Sequence, residues 1–126
     1  MFGGDPPKGA FLNPTAVKIV DPSKSYVAKE EVFGPLFSIA TFKTEEEALH
    51  LANDCPYGLG GTIITKDLEK GAKLSRLVEA GSVFVNKPVT SFSNLPSGGV
   101  KESGWGRDCG AQGVEAFANI KTYYIC

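Results

Sequence analysis

The chain is poor in the residues that build metal centres and disulfide frameworks. It has a single His, His50, and three Cys (Cys55, Cys109 and Cys126), none of them in a C-x-x-C spacing. An odd count without paired spacing argues against a disulfide scaffold and against a zinc site. Three free thiols imply a reducing compartment, so a cytoplasmic protein is expected. An excess of either charge is also lacking: 13 Lys and Arg stand against 14 Asp and Glu, for a net charge of -1. Nucleic acid and anionic membranes both select basic surfaces, so neither is expected as a partner. No apolar run approaches the ~18 residues of a membrane span. The start, Met1 to Pro7, has no charged n-region or apolar h-region, so no signal peptide is expected. The remaining composition, 42% hydrophobic and 21% charged over 126 residues, is that of one soluble globular domain.

Glycine is what the chain has in plenty, 15 residues, and four of them (Gly98, Gly99, Gly104 and Gly106) crowd into the stretch 96–107. Each would cost about 1 kcal/mol in a helix. Glycine is favoured where backbone approaches something closely, so this stretch is expected to be a shaped loop. It is not a phosphate loop. A P-loop needs G-x-x-x-x-G-K-[ST], and Gly104-Trp105-Gly106 with Gly110 is one residue too long for the dinucleotide fingerprint. A loop that shapes a neighbouring pocket is the better reading.

The rest of the chain alternates strand and helix signals. Pro14 to Val20 and Leu36 to Phe42 read as strands, separated by an Asp21–Ser25 turn. Thr44-Glu45-Glu46-Glu47 is a capping box opening a helix that Pro56 and Gly58 end. Leu59 to Thr65 is the next strand, Asp67 caps a second helix, and Ala80-Gly81 reads as its glycine stop. Ser82 to Asn86 is a further strand. Short connections between such elements imply right-handed crossovers, hence an α/β fold with a largely parallel sheet. More than twenty aperiodic residues follow Asn86, then a helix over 110–118 and a final strand, Thr122 to Ile125. Loops that long are usually functional.

Few residues offer chemistry of their own. Activating a nucleophile takes a base or a charge beside it. Arg107 near Cys109 is opposed by Asp108, Cys55 sits in a helix-end turn, and Cys126 is terminal, so no catalytic residue and no metal ligand set is expected. Glu30-Glu31-Val32-Phe33-Gly34-Pro35 is more suggestive, because an acid at a strand edge suits ribose hydroxyls and an aromatic beside it suits a flat ring.

Five collinear segments resemble the aldehyde dehydrogenase superfamily: Phe11-Leu12-Asn13-Pro14-Thr15; Glu30 to Pro35; Asn53 with Tyr57-Gly58-Leu59; Ala80 to Asn86; and Pro96 to Arg107. That family oxidises aldehydes to acids with NAD or NADP, through a cysteine thioester. The resemblance implies the C-terminal part of the catalytic domain over 1–121 and an oligomerisation strand over 122–126, pairing with another subunit to make a homo-oligomer. It implies that Glu31 holds the nicotinamide ribose, that Phe33 meets the nicotinamide end, and that Asn86 to Ser97 lines the substrate tunnel. Ser97 stands where the family has Phe. The spacing Asn86-x-x-x-x-Ser91, then Leu95-Pro96, is similar to succinate-semialdehyde dehydrogenases, in which a serine at the Ser91 position helps hold the distal carboxylate. The G-Q-x-C nucleophile motif, the general-base glutamate and the dinucleotide domain have no counterpart in the chain. It is therefore expected to be inactive alone. A non-catalytic oligomerisation module and a stand-alone nucleotide-binding domain are the alternatives.

Overall fold

The computed structural model of the chain describes residues 8–126. Part of the irregular lead-in expected over 1–10 thus lies outside the described residues. The chain divides after Pro56 into two compact units.

In the first unit, strand β1 (Thr15–Lys18) pairs in parallel with β2 (Leu36–Ile39), Thr15 opposite Leu36 and Lys18 opposite Ile39. Bonds from Thr15 N–H to Pro35 C=O and from Ile19 N–H to Ile39 C=O extend the ladder at each end. Ile19 is the one buried large apolar side chain among the described residues. The Asp21–Ser25 turn is a single 3-10 turn over Pro22–Lys24, with the Asp21 carboxylate accepting from the Ser23 N–H and hydroxyl. It leads into α1 (Tyr26–Lys29), too short to carry a periodic sequence signal. β2 ends at Ile39, three residues before the Phe42 expected from sequence.

Helix α2 (Glu45–Asn53) begins as its capping box requires, with Glu47 N–H donating to the Thr44 hydroxyl at 3.2 Å. The reciprocal bond differs. The Glu47 carboxylate reaches past Thr44 to the Lys43 N–H at 2.6 Å. At the far end, Lys29 Nζ meets Asp54 Oδ2 at 2.5 Å, tying the end of α1 to the end of α2.

The second unit holds another parallel ladder, β4 (Gly60–Ile63) with β5 (Ser82–Val85), Gly60 opposite Ser82. Helix α3 (Leu68–Ser75), capped by Asp67 accepting from Lys70 N–H, connects the two strands. Its buried Gly71 lets the helix close on the ladder, since a Cβ there would meet Val85 Cγ1 at 2.8 Å. The helix ends at Ser75 with Arg76 as its C-cap, so Leu77 and Val78 lie outside it and Gly81 is not its stop. Gly81 has a different task. A side chain there would land on the Gly98 carbonyl, so glycine is needed for backbone-to-backbone approach.

That approach is completed by a ladder the sequence did not reveal: β3 (Tyr57–Gly58) pairs antiparallel with β6 (Val100–Lys101). The helix near the C-terminus, α4, spans Gly110–Ala116. The parallel sheet is therefore realised as two separate parallel ladders and one short antiparallel one among the described residues. The strand expected over Thr122–Ile125 does not form within the chain; those residues have no assigned secondary structure. A strand exists only with a partner to complete its hydrogen bonds, and no segment among the described residues supplies one.

Candidate functional site

The acid turn of the first unit follows directly from α1. Glu30 closes the helix, its N–H bonding Tyr26 C=O at 2.9 Å, and the chain then runs extended into Glu31. Gly34 makes the turn that returns the chain to β2, with Gly34 N–H on Val32 C=O and Leu36 N–H on Gly34 C=O. The outcome is two recesses sharing Val32 and Leu36. One, about 180 Å³, is lined by Glu30, Glu31, Val27 and Ser38. The other is an open apolar groove of about 520 Å³ lined by Phe11, Leu12, Phe33 and Pro35. Glu31 is exposed, and Phe33 presents 93% of its surface. A solvent-facing carboxylate in one recess and an uncovered ring in the other are residue types that suit sugar hydroxyls and a flat heterocycle.

Ser91 and Ser97 belong to the second unit, on the stretch 86–97. That stretch is ordered by a sequence of short-range ties. The β4–β5 ladder continues to Asn86, whose N–H bonds Ile63 C=O at 2.8 Å. Asn86 then turns with φ 56°, the left-handed region that Asn tolerates better than most residues. Its side-chain amide grips the Thr65 backbone on both sides: Thr65 N–H donates to Oδ1 at 2.8 Å, and Nδ2 donates to Thr65 C=O at 2.7 Å.

Beyond Asn86 the chain doubles back beside β4. The Thr62 hydroxyl donates to Lys87 C=O at 3.1 Å. Val89 packs over Gly60, where a Cβ would come within 2.9 Å of it. Phe92 stacks on Phe84 of β5 with centroids 6.3 Å apart, and Lys87 Nζ lies 4.5 Å above the Phe92 ring. Ser91 is exposed on this return segment. Half-buried Ser97 is fixed by its backbone, which exchanges two 2.7 Å bonds with Asp108.

The glycine stretch around Ser97 is folded onto itself. Arg107 Nη1 donates to the Gly99 and Gly106 carbonyls, each at 2.7 Å. Gly58 N–H donates to the Ser103 hydroxyl at 3.0 Å, and Lys101 pairs with Glu79 at 2.7 Å. Of the loop's two cations, Arg107 is thus committed to the loop's own carbonyls and Lys101 to Glu79, in keeping with a structural element and not a phosphate cradle. Trp105 stands outside it, 95% exposed.

Cys55 donates its thiol to Lys29 C=O at 3.7 Å, Cys109 is half-buried and Cys126 is exposed. Among the described residues no cluster of three His, Cys, Asp or Glu could hold a metal, and no helix is long and apolar enough to cross a membrane. Sequence reasoning singled out Glu31, Phe33, Ser91 and Ser97, but it missed the amide grip of Asn86 and the two hydrogen bonds of Arg107. An Asn directly after a β-branched strand was the available signal for the first.

The strands, paired mostly in parallel, and the helices between them make the chain an α/β protein segment. The chain belongs to the aldehyde dehydrogenase family, whose sequence profile matches residues 1–123. It is 45% identical to the chloroplastic betaine aldehyde dehydrogenase of Atriplex hortensis, over 96% of this chain and 25% of that protein. It is likewise 45% identical to the peroxisomal aminoaldehyde dehydrogenase 1 of Pisum sativum, over 90% of this chain and 22% of that protein. The crystal structure of an aldehyde dehydrogenase from Mycobacterium tuberculosis complexed with NAD+ superposes with a TM-score of 0.83 at 41% identity, covering 92% of this chain and 24% of that one. The chain thus spans about a quarter of the length of the relatives it matches.

Proposed function

We propose that the chain is the segment of an NAD(P)-dependent aldehyde dehydrogenase that supplies one wall of the substrate passage and one contact to the cofactor. The observation that carries this is the family match over residues 1–123, with the motif residues folded into the acid turn and the return loop. Glu31 would accept hydrogen bonds from the nicotinamide ribose, and Phe33 would pack at the nicotinamide end. The cofactor, when bound, accepts the hydride of the aldehyde. This chain's part is to hold and orient, because nucleophile, general base and oxyanion donor have no counterpart in it. Alone, it is expected to make no NADH.

The test is absorbance of NADH with the pure chain, NAD or NADP, and succinate semialdehyde or aminoaldehydes. Turnover by the pure chain would overturn the inactive reading. A cofactor contact without the dinucleotide domain is weak, so NAD below millimolar concentration is expected to leave Trp105 fluorescence unquenched.

The substrate is read from the return loop. Ser91 is an exposed hydroxyl that suits a distal carboxylate, which favours succinate semialdehyde. The relatives are named for betaine aldehyde and aminoaldehydes, whose distal groups are cationic, and these make the competing substrate class. An enzyme carrying this segment, assayed on both classes, separates them by kcat/KM. For compartment, the cysteines favour cytoplasm, although the relatives named above are chloroplastic and peroxisomal.

A second reading rests on the C-terminal residues. Phe117, Ile120, Tyr123, Tyr124 and Ile125 are each at least 79% exposed and follow α4 without strand pairing. We infer that 122–126 pairs with another subunit, which would also make the chain an oligomerisation module. Light scattering after size exclusion decides it. A clean monomer at high concentration would count against this reading.

A further inference from the structure

The β4–β5 ladder ends one peptide early, and a side chain takes the place of the missing backbone. After Asn86 N–H has bonded Ile63 C=O, continued pairing would bring the backbone of β5 against Thr65. The chain leaves the ladder at that point with φ 56°. The Asn86 carboxamide has one donor face and one acceptor face, like a peptide group. It occupies both the N–H and the C=O of Thr65, at 2.8 and 2.7 Å. A Ser or Thr hydroxyl can donate and accept, but from a single atom on a shorter arm, so it lacks the two separated atoms that Asn86 sets against Thr65, and Asp would set a carboxylate against the Thr65 carbonyl. The same residue is the hinge from which the return segment starts. Lys87 C=O on Thr62, Val89 over Gly60 and Phe92 on Phe84 all depend on the direction in which the chain departs from Asn86.

We propose that Asn86 is a positioning residue: its amide, standing in for a ladder peptide, aims the return loop and so sets where Ser91 stands in the substrate passage. The functional part rests on the reading of 86–97 as passage wall. The geometric part does not. Asn86 touches no reacting atom in this account. Its influence is on where a long aldehyde's far end is held, so it acts on KM and not on kcat.

Two measurements test it. Hydrogen exchange on the chain compares wild type with Asn86→Gly, which keeps the left-handed turn but removes both amide bonds, and with Asn86→Asp, which keeps one acceptor. Exchange of the Thr65 amide, which donates to Asn86 Oδ1, is expected to accelerate about tenfold in N86G and less in N86D. Unchanged exchange in N86G would overturn the proposal.

The second measurement places residues 8–126 in the corresponding region of the M. tuberculosis enzyme. In that hybrid N86G is expected to raise KM several-fold for succinate semialdehyde, or for an aminoaldehyde if that is the better substrate. It should leave kcat, and the KM of acetaldehyde, near wild type. Equal shifts for long and short aldehydes would reduce Asn86 to a purely structural role and defeat the proposal. A wild-type hybrid that oxidises no aldehyde would break the proposed function instead, while the exchange experiment still decides the geometry.

Discussion

The two parallel ladders have the same length and unequal cover. β4–β5 is covered: α3 closes on it through Gly71, the return loop lies along β4, and every residue of β5 is at least partly buried. β1–β2 is bare. Phe37 and Ile39 of β2 are 68% and 42% exposed, and the connection between the strands holds only a 3-10 turn and a four-residue helix. Pairing alone therefore buries little. A ladder becomes part of a core when a connecting helix is long enough to lie across it. Eight residues between β4 and β5 suffice, and four between β1 and β2 do not. The apolar surface left on the first unit is of the kind that marks contact with another element.

This comparison can be broken most sharply by glycine replacement. Gly81→Ala forces a methyl group onto the Gly98 carbonyl and should destabilise the second unit by about 3 kcal/mol. Gly34→Ala meets nothing within 4 Å and should stay within about 0.5 kcal/mol in the first. Hydrogen exchange resolved by unit measures both, and equal costs would refute the contrast.

A smaller effect is expected at Lys29. Its pair with Asp54 spans two helix ends, but both side chains are about a third exposed, so Lys29→Met should cost about 0.5–1 kcal/mol. A denaturation midpoint unchanged in K29M would show that the pair contributes nothing measurable.

The smallest effect is acid sensitivity. The Ser23 hydroxyl holds the Asp21 carboxyl below its ordinary value, and Glu46 is lowered by its own backbone N–H and then by the Thr44 hydroxyl. A depressed carboxylate stabilises the fold above its unfolded pKa, and that contribution is lost as pH falls through the folded value. Both groups are in the first unit, so its protection should decline first as pH drops below about 4. The double variant D21N/E46Q should flatten that decline. A second unit that loosens at the same pH would sink the idea.

Local signals were the legible part. Thr44 and Asp67 announced their helices because caps act within three residues, and the β-branched runs at 17–20 and 62–64 marked strands. The acid turn and the two loop serines were singled out through motif resemblance. Features depending on distant partners stayed hidden. The β3–β6 ladder joins two-residue strands that carry no period, and Gly81 resembles a helix stop until its opposite backbone is known. The 122–125 segment reads as a strand from composition, yet composition does not supply a partner.

The Gly58–Ser103 bond has a consequence for how the chain is made. Its two ends are 45 residues apart in sequence. At the usual pace of synthesis the Gly58 amide must wait roughly 2–9 s after it is made before Ser103 exists. β4, α3 and β5 are all complete within that interval. The covered ladder should therefore stand first, as the surface on which the glycine loop closes last, and a pause in translation between residues 86 and 101 would prolong a state in which Gly81 awaits its opposite backbone.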